Sequence, residues 1–158
     1  MIARKELGIE HQGGLLLFFG FIRQYKGLDL LLEAMADPRI KESGYKLVIA
    51  GEFYEDPVKY TSIIKSYHLE DLVILFNEFI PENKIRYFFS AADVLVQPYR
   101  HATQSGVTPL SMHFELPMIV TDAGGLKEMV IDKVSGLIVQ KDSASIANGI
   151  LEYFKLRK

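Results

Sequence analysis

Cysteine is missing from the sequence altogether. That removes a disulfide framework and thiolate metal ligands, and it fits a reducing compartment. An excess of charge of either sign is missing too: 18 Lys and Arg stand against 20 Asp and Glu, a formal net charge of −2. A broad basic face for nucleic acid is therefore not expected. No apolar run approaches membrane-spanning length. Arg4, Lys5, Glu6 and Glu10 interrupt the amino-terminal stretch, which does not read as a signal peptide. The expected location is the cytoplasm.

Several catalytic signatures are also lacking. His11, His68, His101 and His113 are dispersed, with no H-x-x-x-H or H-E-x-x-H spacing, and no Asp-x-Asp pair occurs. No metal site is expected. A G-x-S-x-G elbow for a serine hydrolase is absent. The turn after the first apolar run is neither a P-loop nor G-x-G-x-x-G, which weakens a dehydrogenase reading.

What the sequence has is an alternation of short apolar runs and amphipathic stretches. A polar lead-in, residues 1–14, ends in Gly13-Gly14. Leu15 to Phe21 is continuously apolar, as suits a strand buried on both faces of a parallel sheet. Leu28, Leu31, Leu32 and Met35 then make one helical face, with Pro38 expected to end it. The unit recurs. Strands are predicted at Leu47 to Ala50, Val73 to Phe76, Val94 to Val96, Met118 to Val120 and Leu137 to Val139. Helices are expected through Tyr60, Ile63, Ile64 and Tyr67, through Ile85, Phe88, Phe89 and Ala92, and through Leu110 and Phe114. A short one follows over Gly125 to Val130, and a last one through Ile146, Ile150 and Phe154. The 158 residues read as one domain of class α/β, a doubly wound, Rossmann-like parallel sheet covered on both faces. Ligands of such sheets bind at the carboxyl edge, so candidates are sought in the turns there.

Three turns carry chemistry. In the first, Gly20 lets backbone or ligand approach closely, and Arg23 and Lys26 can grip a diphosphate, the guanidinium through several N–H groups and the ammonium as a point charge. The same residues also suit two solvated charges on a loop, and spacing does not choose between these. In the second, Thr103-Gln104-Ser105-Gly106 offers hydroxyls, an amide and backbone N–H groups at the start of a helix, with Thr108 as N-cap and Pro109 in the first turn. Ordinary loop-and-cap chemistry uses the same residue types. In the third, Gly124-Gly125 opens a further helix, with Glu128 nearby. Two helix N-termini side by side would attract an anion, phosphates above all.

The stretches Phe18-Phe19-Gly20 to Lys26-Gly27-Leu28, Leu47 to Gly51, Ala91-Ala92-Asp93-Val94 to Tyr99 and Pro117 to Glu128 resemble, in order, the carboxyl-terminal half of group 1 (family 4) glycosyltransferases. The resemblance runs from about Leu15 to Phe154. It implies one of two Rossmann-like domains of a GT-B enzyme, the one that binds the donor. It implies a retaining, metal-independent transferase of surface-polysaccharide type, with no cofactor and a UDP-, GDP- or ADP-sugar as donor. A hexosyl group would pass to a glycan or lipid-linked acceptor, the sole peripheral link to a membrane. Lys26 would contact the diphosphate, Phe79-Ile80-Pro81 would border the base, and Gln104 to Val107 would hold sugar and phosphates through the backbone.

Three departures stand out. Phe21 occupies the place where the family carries arginine after the strand-one glycine. The family's Glu-x7-Glu is absent in either register, the two places being Ala102 and Leu110 or Gln104 and Met112. The acceptor domain is absent as well, so an excised domain or fragment is expected, inactive by itself. The alternative is a non-catalytic α/β interaction module that kept the fold and lost the site; it requires Arg23, Lys26 and Gln104 not to converge.

Overall fold

Five consecutive apolar residues set the centre of the sheet: Leu15–Phe19 forms β1, and every one of its side chains is buried. The computed structural model describes residues 2–101, 105–130 and 134–157. The other strands are β2 (Lys46–Ala50), β3 (Val73–Phe76), β4 (Val94–Gln97), β5 (Met118–Thr121) and β6 (Gly136–Val139), all parallel, in the order β3-β2-β1-β4-β5-β6. This is the doubly wound Rossmann order, which reverses between β1 and β4. Leu16 lies opposite both Leu47 and Val94, so β1 is paired on both edges.

Alternation along β1 divides the core in two. Leu16 and Phe18 pack with Leu47, Ile49 and Val94 against one helical layer. That layer holds α2 (Leu28–Met35), α3 (Pro38–Ser43), α4 (Val58–Ser66) and α7 (Ser143–Arg157). Leu15, Leu17 and Phe19 pack with Val48, Ala50 and Leu95 on the other side. There the cover comes from α1 (Ile2–Glu6), α5 (Glu82–Ala91) and α6 (Val107–His113). Leu28, Leu31, Leu32 and Met35 are all fully buried, as their spacing predicts, each worth about 1.5–3 kcal/mol of burial. The α4 stripe is buried only at Tyr60, and Tyr67 is exposed, because α4 covers the β3 side of the sheet, where the strand itself stays half open. Among the described residues no helix is long and apolar enough to cross a membrane.

Two local expectations change. Pro38 does not end a helix; α2 stops at Met35, and Pro38 begins α3, where a missing N–H costs nothing. The Asp37 side chain caps that start by accepting from the Arg39 amide at 2.9 Å. The polar lead-in is not simply solvated either. Within α1, Arg4 turns inward and is nearly buried, with Nε donating to the Ala91 carbonyl at 3.0 Å and Nη1 to the carbonyls of His11 and Gly13, each at 2.9 Å. Its remaining nitrogen meets the Asp93 carboxylate at 3.1 Å. Asp93, at the amino end of β4, also accepts from the Leu15 amide at 2.9 Å and from Arg157 of α7. One carboxylate thus ties both ends of the described chain to the amino rim of the sheet. A cavity of about 1080 Å³ lies there, lined by Gly14, Tyr45, Phe154 and these charged groups.

Candidate functional site

The strand order reverses between β1 and β4, and in open α/β sheets that switch point, at the carboxyl rim, is where ligands bind. The turn after β1 crosses to β4 there. Gly27 has φ +70, and a Cβ on it would stand 1.9 Å from the Pro98 carbonyl oxygen, so only glycine lets the two backbones meet. The Arg100 amide donates to the Tyr25 carbonyl at 2.7 Å, and its guanidinium makes a bidentate pair with Asp29 at 2.8 and 2.7 Å. The post-β1 and post-β4 turns are therefore one rigid body.

Lys26 occupies the last position of a 3₁₀ turn, Gln24–Lys26, and is only 8% exposed. Its ammonium points back over Gly20: a Cβ there would lie 3.2 Å from Nζ and 3.2 Å from Val107 Cγ2. Gly20, Lys26 and Val107 thus meet, bringing the strand-one turn against the start of α6. Nζ also lies 5.9 Å from the Tyr99 ring centroid. Among the described residues it has no carboxylate or carbonyl partner, whereas every fully buried polar side-chain atom is satisfied. Burial first, and the like charge of Arg23 second, lower its pKa from 10.5 to about 8. A buried ammonium that feels a second positive charge is unfavourable by itself and favourable beside an anion.

Arg23 itself is exposed, its Cζ 4.6 Å from the centroid of the Tyr54 ring. Ser105, after β4, is held by its own neighbours. Its Oγ accepts from the Gln97 side-chain amide at 3.0 Å and from the Val107 amide at 3.2 Å. Gln97 Oε1 in turn accepts from Thr108 Oγ1 at 3.2 Å, and Thr121 Oγ1 donates to the Tyr99 carbonyl at 2.6 Å. Sequence reasoning missed Gln97, Tyr99 and Thr121. The signal was available: a polar residue closing the apolar run Val94-Leu95-Val96 must find partners once buried.

Several expectations are corrected in detail. Thr108 is not an N-cap; it lies inside α6, and Gly106 takes the cap position, without a side-chain bond. Pro109 does stand in the first turn. α6 has only seven residues, and the stretch after Gly124-Gly125 is a 3₁₀ turn, Leu126–Met129, not a helix. Two strong helix N-termini are thus not what this rim offers. Gly124 has φ +49 and, with Gly125, stands one strand further out, after β5. Phe79 is exposed and Ile80 buried in the loop after β3, two strands away on the other side. Thr103 and Gln104 lie outside the described residues. No group of three or more His, Asp or Glu side chains among the described residues is placed to ligate a metal ion.

Comparison with known proteins follows the same pattern. A family model described as glycosyl transferases, group 1, matches residues 13–155. A D-inositol 3-phosphate glycosyltransferase of Frankia alni is 31% identical over 156 residues, covering 92% of this chain and 38% of the relative. The sucrose-phosphate synthase of Thermosynechococcus elongatus superposes with a TM-score of 0.85 at 26% identity, over 97% of this chain and 39% of the other. Anabaena HepE, solved in complex with UDP-glucose, gives a TM-score of 0.81 at 20% identity, over 96% and 42%. The chain spans about two fifths of the length of these proteins.

Proposed function

The chain belongs to the group 1 glycosyl transferases and forms one Rossmann-like half of their GT-B architecture, and from that premise we propose that its carboxyl rim binds the diphosphate of a nucleotide sugar. The observation that carries this is Lys26: a nearly buried side chain whose ammonium has no counter-charge among the described residues, near the switch point of the sheet, and which feels the charge of Arg23. Two coupled cations without a paired carboxylate are stabilised by a ligand of charge about −2, which a nucleoside diphosphate sugar supplies.

On this reading Lys26 and Arg23 offset the charge that gathers on the leaving nucleoside diphosphate as the glycosidic bond breaks. The loop from Ser105 to Val107, with Gly20, shapes the sugar and phosphate pocket; Phe79 and Ile80 border the base, and Gly124-Gly125 closes the far side. Side-chain cations do the electrostatic work in place of a metal ion, and retention of configuration by the enzyme is what the family resemblance implies. Its donor is a UDP-, GDP- or ADP-sugar, and its hexosyl acceptor, a glycan or lipid-linked sugar, is held by a second domain on the cytoplasmic side. The alternative, a module that has lost its site, turns on whether Arg23, Lys26 and Gln104 converge, and Gln104 lies outside the described residues. The test is thermal unfolding of the 158-residue chain with each of the three donor types. A ligand at about 100 times its Kd should stabilise by about 2.7 kcal/mol. No shift with any of them at millimolar concentration overturns the proposal.

A further inference from the structure

Beyond β1 and β2 the chain keeps its parallel pairing for a few residues more. The Ile22 amide donates to the Glu52 carbonyl at 2.8 Å, the Tyr54 amide donates to the Ile22 carbonyl at 3.0 Å, and Ile22 and Phe53 form an isolated bridge. Ile22 is fully buried and Phe53 packs on the core. Extended backbone sends neighbouring side chains to opposite sides, so Phe21 and Tyr54 emerge together on the outer side. Their rings stack with centroids 4.5 Å apart at 29°. Both remain open, at 43% and 49% exposure. The Arg23 guanidinium lies on the Tyr54 ring, its Cζ 4.6 Å from the centroid, and makes no ion pair with a carboxylate among the described residues.

Two large aromatic rings left in solvent bury too little to serve as core. Nor would an exposed arginine stay near Lys26 unaided: its side chain is long, and the lysine charge repels it. We propose that Phe21 and Tyr54 form an aromatic shelf that holds the Arg23 guanidinium beside Lys26, making it a second, pre-oriented cation for the diphosphate of the donor. Phe21 and Tyr54 are positioning residues, acting through Arg23. The shelf removes rotamer freedom before the ligand arrives, so less is lost on binding. The inference rests on the donor-site reading above and adds to it who fixes the second charge.

Calorimetric titration of the 158-residue chain with UDP-glucose, GDP-mannose and ADP-glucose selects whichever binds as probe. Arg23→Ala should weaken that probe about tenfold or more. Tyr54→Ala should weaken it about two- to fivefold with an unchanged unfolding midpoint, the ring being exposed. Tyr54→Phe, which keeps the aromatic face, should restore wild-type affinity. The double variant Arg23→Ala/Tyr54→Ala should bind no more weakly than Arg23→Ala alone. Full affinity in Tyr54→Ala, full affinity in Arg23→Ala, or additive losses in the double variant each overturn the shelf and leave the donor site standing. No binding by the wild-type chain to any probe overturns both.

Discussion

The two rims of one sheet handle positive charge in opposite ways. At the amino rim, Arg4 and Arg157 converge on Asp93, and every nitrogen of the Arg4 guanidinium has a carboxylate or carbonyl acceptor. At the carboxyl rim, Lys26 feels the like charge of Arg23, and neither makes an ion pair with a carboxylate among the described residues. The first arrangement is internally paired; the second leaves its cations without a paired acid. A hollow of about 1080 Å³ lies at the amino rim, where the charges are already answered.

The strongest way to break this comparison is to unpair the amino rim. Asp93→Ala leaves Arg4 nearly buried without its carboxylate and frees the Leu15 amide. Removing one partner of such a pair costs about 3–5 kcal/mol. Urea unfolding should show that loss in the midpoint, while the donor affinity of the remaining folded chain stays as it was. A cost under about 1 kcal/mol would mean that the rim is solvated and the contrast is only apparent.

Lys26→Met tests the other rim and should act with the opposite sign on stability. Methionine fills the same space without a charge to desolvate, so the empty protein should gain on the order of 1 kcal/mol at pH 7, discounted from the full pKa effect because the ammonium keeps some contact with water. Donor affinity should fall about ten- to a hundredfold with the lost charge-assisted contact. Paired urea unfolding and calorimetry measure both. A variant that loses stability and keeps affinity would make Lys26 a structural residue like Arg4.

Much of the fold is legible in the chain because its signals are local. The apolar run Leu15 to Phe21 suits a strand buried on both faces, of which the structure keeps Leu15–Phe19 and leaves Phe21 exposed, and Leu28, Leu31, Leu32 and Met35 share one helical face wherever the helix lies. Strand order is non-local, and only right-handed crossovers and a doubly wound prior led to the observed arrangement. The site divides along the same line. Gly20 and Lys26 stand at a strand end, where glycine and charge are conspicuous. Gln97 looks like the tail of an apolar strand until Ser105 and Thr108 come back to it. Arg4 looks solvated because its carboxylate lies 89 positions away. The Phe21–Tyr54 stack joins two different turns and exists only once β1 and β2 are paired. Short helices were over-read for a related reason: Gly124-Gly125 marks a tight turn but not how long the following helix runs.

The mildest test of the contrast is pH, because Lys26 titrates in reach of ordinary buffers. In the empty protein its pKa stands near 8, lowered by burial and by Arg23. A bound diphosphate favours the charged form and raises that value, so above pH 8 binding must take up a proton. Affinity should therefore be flat from about pH 6.5 to 7.5, about twofold weaker at pH 8 and about tenfold weaker at pH 9. A nucleotide sugar is the proper ligand, since the terminal phosphate of a free nucleoside diphosphate titrates near pH 6. Lys26→Arg stays charged throughout and controls for titration of the base. The empty protein should respond inversely. Its unfolded state holds the lysine proton up to about pH 10.4, so the folded state gains stability as pH rises from 8 toward that value. Affinity that falls while stability climbs identifies a cation kept for a ligand; a flat affinity profile would place Lys26 outside the site.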